Sequence, residues 1–146
     1  MKRSELLQRL RGHVRKDEWP LLADGSAPLV ISRWNRATLM RMRGFEAPPG
    51  EAKDEDVGAM EALLADYLKR TMPDRPEGHR WILLSCLFLA FVAREPLHPA
   101  EIVGHRPGPE GRVCPAREPG PDSLCRFCVC GPVSPGTPDS TPRPRG

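Results

Sequence analysis

The sequence predicts an all-α protein, a small helical bundle of about four helices with an irregular, cysteine-rich C-terminal segment. Three observations lead there. Apolar residues recur at helical spacing in three stretches of the first half, a run of thirteen residues from Trp81 to Ala93 is apolar on all sides, and beyond Pro99 that periodicity stops. Four of the five cysteines then fall between Cys114 and Cys130. A chain of 146 residues has room for one core. The organisation expected is a helical domain over 1–95, a loop-rich Cys/His segment over 96–130 packed on it, and a disordered Pro-rich tail over 131–146.

The elements follow in order. Ser4 is a good N-cap, and Leu6, Leu7, Leu10 and Val14 fall on one side of a helix with Arg9, Arg11, Arg15 and Lys16 mostly on the other, which sets a first helix over about 5–18. Pro20 and Asp24-Gly25-Ser26 break that pattern and mark a loop. With Pro28 in its first turn, a second helix from Leu29 to Arg43 keeps Ile31, Trp34, Thr38 and Met42 in register, and Gly44 ends it. Pro48-Pro49-Gly50 is a break. The third helix runs from about Lys53 to Thr71: Asp54, Glu55 and Asp56 suit its positive end, Lys69 and Arg70 its negative end, and Val57, Met60, Leu63, Leu64, Tyr67 and Leu68 form its stripe. The run Trp81 to Ala93 is too short to cross a bilayer comfortably and reads as the central buried helix, with Cys86 inside it as a small hydrophobe. Pro96 ends it, and Arg94-Glu95-Pro96-Leu97-His98-Pro99 leads out as a rigid turn. Beyond Pro99 the chain reads as loop.

Charge is unevenly spread. Residues 1–46 carry ten Lys/Arg against five Asp/Glu, and residues 47–70 carry three against six. The basic excess suits an anionic partner such as nucleic acid, and equally suits a solvated face or one matched to the acidic 51–66 segment. No aromatic-interleaved basic stretch of the RNA-binding kind is present. Met1-Lys2-Arg3 leads into an amphipathic stretch and not into a secretory signal, so a cytoplasmic protein is expected, with no membrane association. In that reducing compartment cysteines hold metal or do redox work more often than they form permanent disulfides.

The cysteines are spaced C-x10-C-x2-C-x-C. Four thiolates brought together by loops repel one another unless a cation sits at their centre. Two thiols separated by two residues bind one metal from a single turn, which makes Cys125 and Cys128 the firm half of the site. Cys114, its chain direction fixed by Pro115, closes the site from a ten-residue excursion, and the fourth ligand is Cys130 or His98. Either set is complete for structural zinc. An iron–sulfur cluster needs all four thiolates, and the spacing matches neither ferredoxin pattern. His98 has a second reading, capping the last carbonyls of the buried helix, and His105 is a further candidate for a mixed site. His13 and His79 read as solvated. The chain lacks G-x-S-x-G, G-x-x-x-x-G-K-[ST], H-E-x-x-H and G-x-G-x-x-G, so any enzymatic activity would rest on the thiols or the metal alone.

The buried helix running into Arg94-Glu95-Pro96-Leu97-His98-Pro99, then Cys114-Pro115, then Leu124-Cys125-Arg126-Phe127-Cys128, resembles an uncharacterised protein family of methanogenic archaea, a domain of unknown function. The likeness spans roughly residues 1–130 and is most specific in those three segments. It implies an archaeal, cytosolic origin and draws together His98, Cys114, Cys125 and Cys128 as one set of four ligands. The functional expectation is a metal-binding module of structural zinc type that offers its basic helices to a protein partner. The alternative is an iron–sulfur or redox-thiol protein.

Overall fold

The first helix starts without a side-chain cap, and its position moves the expected boundaries. In a computed structural model, which describes residues 1–24 and 31–133, α1 runs Arg3–Arg11 with Lys2 at its N-cap, so Ser4 lies inside the helix and not before it. Gly12 ends α1, seven residues' worth of expected helix is lost, and the chain turns so that Val14 still reaches the core at 6% exposure. A second helix, α2 at Glu18–Asp24, then forms where a loop was expected. Pro20 permits it because a proline in the first turn lacks only an N–H that has no intrahelical acceptor there.

The next helix, α3, is Arg33–Gly44. Its start is four residues later than the expected Leu29, which itself lies outside the described residues. Ser32 is the reason: its hydroxyl accepts from the Asn35 N–H at 3.1 Å, a cap worth about 1 kcal/mol. Asp54–Thr71 forms α4 as the charge pattern at its two ends requires, burying Val57, Met60, Leu64 and Leu68. Leu63 is half-buried and Tyr67 is 45% exposed, so the stripe is narrower than its apolar letters suggest.

The apolar run forms two kinds of helix. The α-helical part, α5, is His79–Leu87, preceded by a 3-10 turn at Pro76–Gly78, and Phe88–Ala93 continues it as π-helix. Phe88, Leu89, Ala90 and Val92 are all at 1% exposure or less. Arg94, not Pro96, ends the run: it takes the left-handed conformation (φ 55°), a choice that costs a non-glycine residue about 1–2 kcal/mol, and its guanidinium returns to the Ala90 carbonyl at 2.6 Å. α5 packs on both α3 and α4, α1 packs on the π turn, and α2 packs on α3. Among the described residues no helix is long and apolar enough to cross a membrane.

Beyond Pro99 the chain is not simply loop. A short helix, α6 at Ala100–Val103, ends on Gly104 in the left-handed region, and a hairpin follows, β1 Arg106–Gly108 paired antiparallel with β2 Gly111–Val113. Among the described residues the protein is therefore mostly helical with one small two-stranded sheet. Pro109-Glu110 is the two-residue connection, and Gly111 (φ 119°) supplies a backbone conformation that a side chain would strain. The Pro and Gly residues that read as chain breakers are the turn chemistry of this hairpin. Of the expected Pro-rich tail, residues 134–146 lie outside the described residues.

Long-range polar contacts join these pieces. The Glu18 carboxylate is 1% exposed and accepts from both terminal nitrogens of Arg80 (2.8 and 2.5 Å) and from the Arg15 N–H (2.9 Å). Arg80 holds the Glu18 carboxyl below its usual range. Much of the basic excess is taken up internally: Arg9 pairs with Glu61, Arg41 grips Glu95 with two nitrogens, Arg11 donates to the carbonyls of Met42 and Phe45, and Arg43 lies over Trp19. Arg9 with Glu61, and the Met1 ammonium with Asp54, match the N-terminal part to the acidic 51–66 segment.

Candidate metal centre

Two anchors set the position of the cysteine segment. On the core side, Trp34 of α3 donates its indole N–H to the Leu97 carbonyl at 3.2 Å and Leu97 is buried, which holds the Pro-Leu-His-Pro turn against the helices. On the segment side, residues Leu124–Phe127 form a 3-10 turn capped by Ser123, whose hydroxyl accepts from the Cys125 N–H, and Phe127 buries its ring against Phe91 with centroids 5.9 Å apart. The 3-10 turn also packs on α4. The apolar Phe between Cys125 and Cys128 is thus the foot that seats the C-x2-C pair on the core.

Between these anchors lies a pocket of about 610 Å3, and Cys114, Cys125, Cys128, Cys130, His98 and His105 all line it, opposite Leu63 and Tyr67 of α4. Exposed Tyr67 is accounted for in this way: it faces the cysteine segment and not the core. The backbone draws the two ends of the segment together. Cys114 N–H donates to the Gly131 carbonyl and Gly131 N–H to the Arg112 carbonyl, each at 2.9 Å, so Val113 and Gly131 form a parallel bridge beside the hairpin. Cys114 and Cys130 flank that bridge. Cys125 and Cys128 are linked by the Cys128 N–H to the Cys125 carbonyl at 3.1 Å.

The thiols differ in environment. Cys130 is buried, while Cys114, Cys125 and Cys128 are half-buried. Burial first, and then the neighbouring Cys128 and Cys114, together push the Cys130 thiol up to about 12. That repulsion is what a bound cation would reverse. Cys86 on α5 stands near Cys128 as well, its thiol raised to about 12 chiefly by burial and then by Cys128. Among the described residues no group of three or more His, Cys, Asp or Glu side chains is arranged to hold a metal ion as it stands. The donors share one pocket, and a cation would have to draw them in.

The histidines separate clearly. His105 accepts from Arg112 Nε at its Nδ1 (2.9 Å), so its proton is on Nε2, which faces the His98 carbonyl at 3.0 Å. With both ring nitrogens engaged, His105 is a strut between the turn and the hairpin and not a ligand. His98 keeps an exposed edge, and its imidazole is held below its ordinary range by partial burial and then by His105. A lowered value favours the neutral ring that a metal needs. His79, expected to be solvated, instead faces the Met72 carbonyl at 2.7 Å across the turn that joins α4 to α5.

Arg117 is the site residue that the spacing of the cysteines does not point to. Its Nη1 donates to the carbonyls of Cys125 (2.7 Å) and Cys130 (2.6 Å). No local signal marks it, since its partners lie eight and thirteen residues away. No family model, curated protein or solved structure matches the chain.

Proposed function

We propose that the protein is a metal-stapled helical interaction module in which Cys114, Cys125, Cys128 and a fourth donor, Cys130 or His98, hold a structural cation of zinc type. The observation that carries this reading is the gathering of all four segment cysteines and His98 on one pocket. Thiolates are soft ligands that suit zinc, and a four-donor set leaves no open position for catalysis. The cation would do what burial does weakly here: fix a segment whose core contribution is little more than Phe127 and Cys130 onto α4 and the turn. In this reading α1, α3, α4 and α5 are the four members of a bundle, the setting is the reducing cytoplasm, and the likeness of the Pro-Leu-His-Pro, Cys-Pro and Cys-x-x-Cys segments to an archaeal family of unknown function is one of kinship.

A second reading has its own observation, the neighbouring thiols of Cys128 and Cys130, which a redox protein would use as a pair. Burial of Cys130 weighs against it, because reactive cysteines sit in exposed, electropositive places that favour the thiolate. Metal analysis and a visible spectrum of protein purified without oxygen test the proposal. About one zinc per chain in a colourless preparation is expected, and Cys125→Ser should lower that content. Unchanged metal content in the variant would remove the thiols as ligands, and a brown, iron-containing preparation would favour a cluster.

A further inference from the structure

Four thiols do not assemble themselves. The excursion from Cys114 to Cys125 is crowded with Pro115, Pro119, Gly120 and Pro121 and offers almost nothing to bury, so closing it costs chain entropy before any cation is bound. Thiolates at its two ends repel. The bridge at Gly131 sets Cys114 beside Cys130; a further group must bring Cys125 to them, and it must do so without occupying sulfur.

Arg117 meets both requirements. Its backbone N–H donates to the Cys114 carbonyl at 3.2 Å, and its Nη1 donates to the carbonyls of Cys125 and Cys130 at 2.7 and 2.6 Å. One residue therefore touches the main chain of three of the four cysteines. All three bonds end on carbonyl oxygens, so every sulfur stays available. The residue is half-buried, which makes its charge felt in the pocket it lines.

Charge supports the same arrangement. A divalent cation in four thiolates carries a net charge of −2, and a half-buried anion needs a partner. Arg112 and Arg117 both stand beside the cysteines and oppose that charge. Arg117 holds the main chain of Cys130, which favours Cys130 as the fourth donor.

Resting on the thiolate-site reading above, we infer that Arg117 is the positioning residue of a four-cysteine site, pinning Cys114, Cys125 and Cys130 through their carbonyls so that a cation meets a partly assembled set of donors.

Cobalt(II) is the probe, titrated without oxygen into the full chain and into Arg117→Met, Arg117→Lys and Arg117→Gln. The wild type should take up one cobalt with thiolate charge-transfer absorption in the near ultraviolet. Arg117→Met should bind at least about tenfold more weakly, the usual loss when a group supporting a metal's ligands is removed, with less charge-transfer intensity per bound cobalt and unchanged helix content in the metal-free protein. Arg117→Lys, which keeps a charged donor, should recover part of both. Should Arg117→Met lose helix, Arg117→Gln is judged by the same tenfold criterion. Affinity within twofold of wild type, with the same spectrum, in the folded variant would overturn the role of Arg117 and leave the thiolate site intact. A wild type that takes up no cobalt would sink the site itself, and this role with it.

Discussion

Removing Arg80 tests how the N-terminal helices are tied to the core. Its partner Glu18 is 1% exposed, and Arg80→Leu would leave that carboxylate with the Arg15 N–H at 2.9 Å and the Arg15 guanidinium at 3.5 Å as its remaining partners. Breaking a buried pair from one side costs about 3–5 kcal/mol. Two features place this case at the low end: Arg80 is itself 36% exposed, and Arg15 stays. Against them stands the loss of the Arg80 contact with the Trp81 ring, 3.9 Å to its centroid, worth roughly another 0.5–1 kcal/mol. The expectation is a loss of about 3 kcal/mol, or a fall in melting temperature of roughly 10 °C for a domain of this size. Denaturant unfolding followed by circular dichroism measures it. The pH dependence carries a sign. Because Arg80 depresses the folded-state value of Glu18, the pair's stabilisation is fully present above the unfolded glutamate value of about 4.3 and fades as pH falls through the lower folded value. The gap between wild type and variant should therefore be widest near neutrality and shrink in acid. A loss under about 1 kcal/mol at neutral pH, or a gap that does not shrink in acid, would refute the view that Glu18 is a buried anion held by Arg80.

Two further perturbations probe the cysteine segment. Phe127→Ala removes the ring seated on Phe91 and should cost about 3 kcal/mol at this peripheral core position, with amide exchange accelerated in residues 114–131 and little changed in α4 and α5; equal acceleration throughout α5 would mean that Phe127 supports the whole core and not the segment. Nitrogen NMR of the imidazoles should find His105 with its proton on Nε2, and Arg112→Leu should release Nδ1 from its donor and shift its resonance. A His105 protonated on Nδ1 in the wild type would contradict the strut between turn and hairpin.

The sequence by itself determined what depends on near neighbours along the chain. α4 is the clearest case: its acidic start, basic end and the Val57, Met60, Leu64 and Leu68 spacing are all local, and its bounds follow to within a residue. The all-round apolar run from Trp81 identifies the buried helix for the same reason, and C-x2-C spacing alone singles out Cys125 and Cys128. Local patterns also misled where two chemistries share the same letters. Pro20 reads as a breaker and sits in the first turn of α2, and Pro107 to Gly111 reads as loop and forms a hairpin. What only the tertiary structure decided depends on how distant segments fold back on one another. Glu18 meets Arg80 sixty-two residues away, Trp34 meets Leu97 sixty-three away, and Tyr67 leaves its own stripe to face the cysteine pocket. His105 and Arg117 follow the same rule. Each is an ordinary polar letter in an irregular stretch, and its role comes from which carbonyl the folded chain sets within 3.0 Å of it.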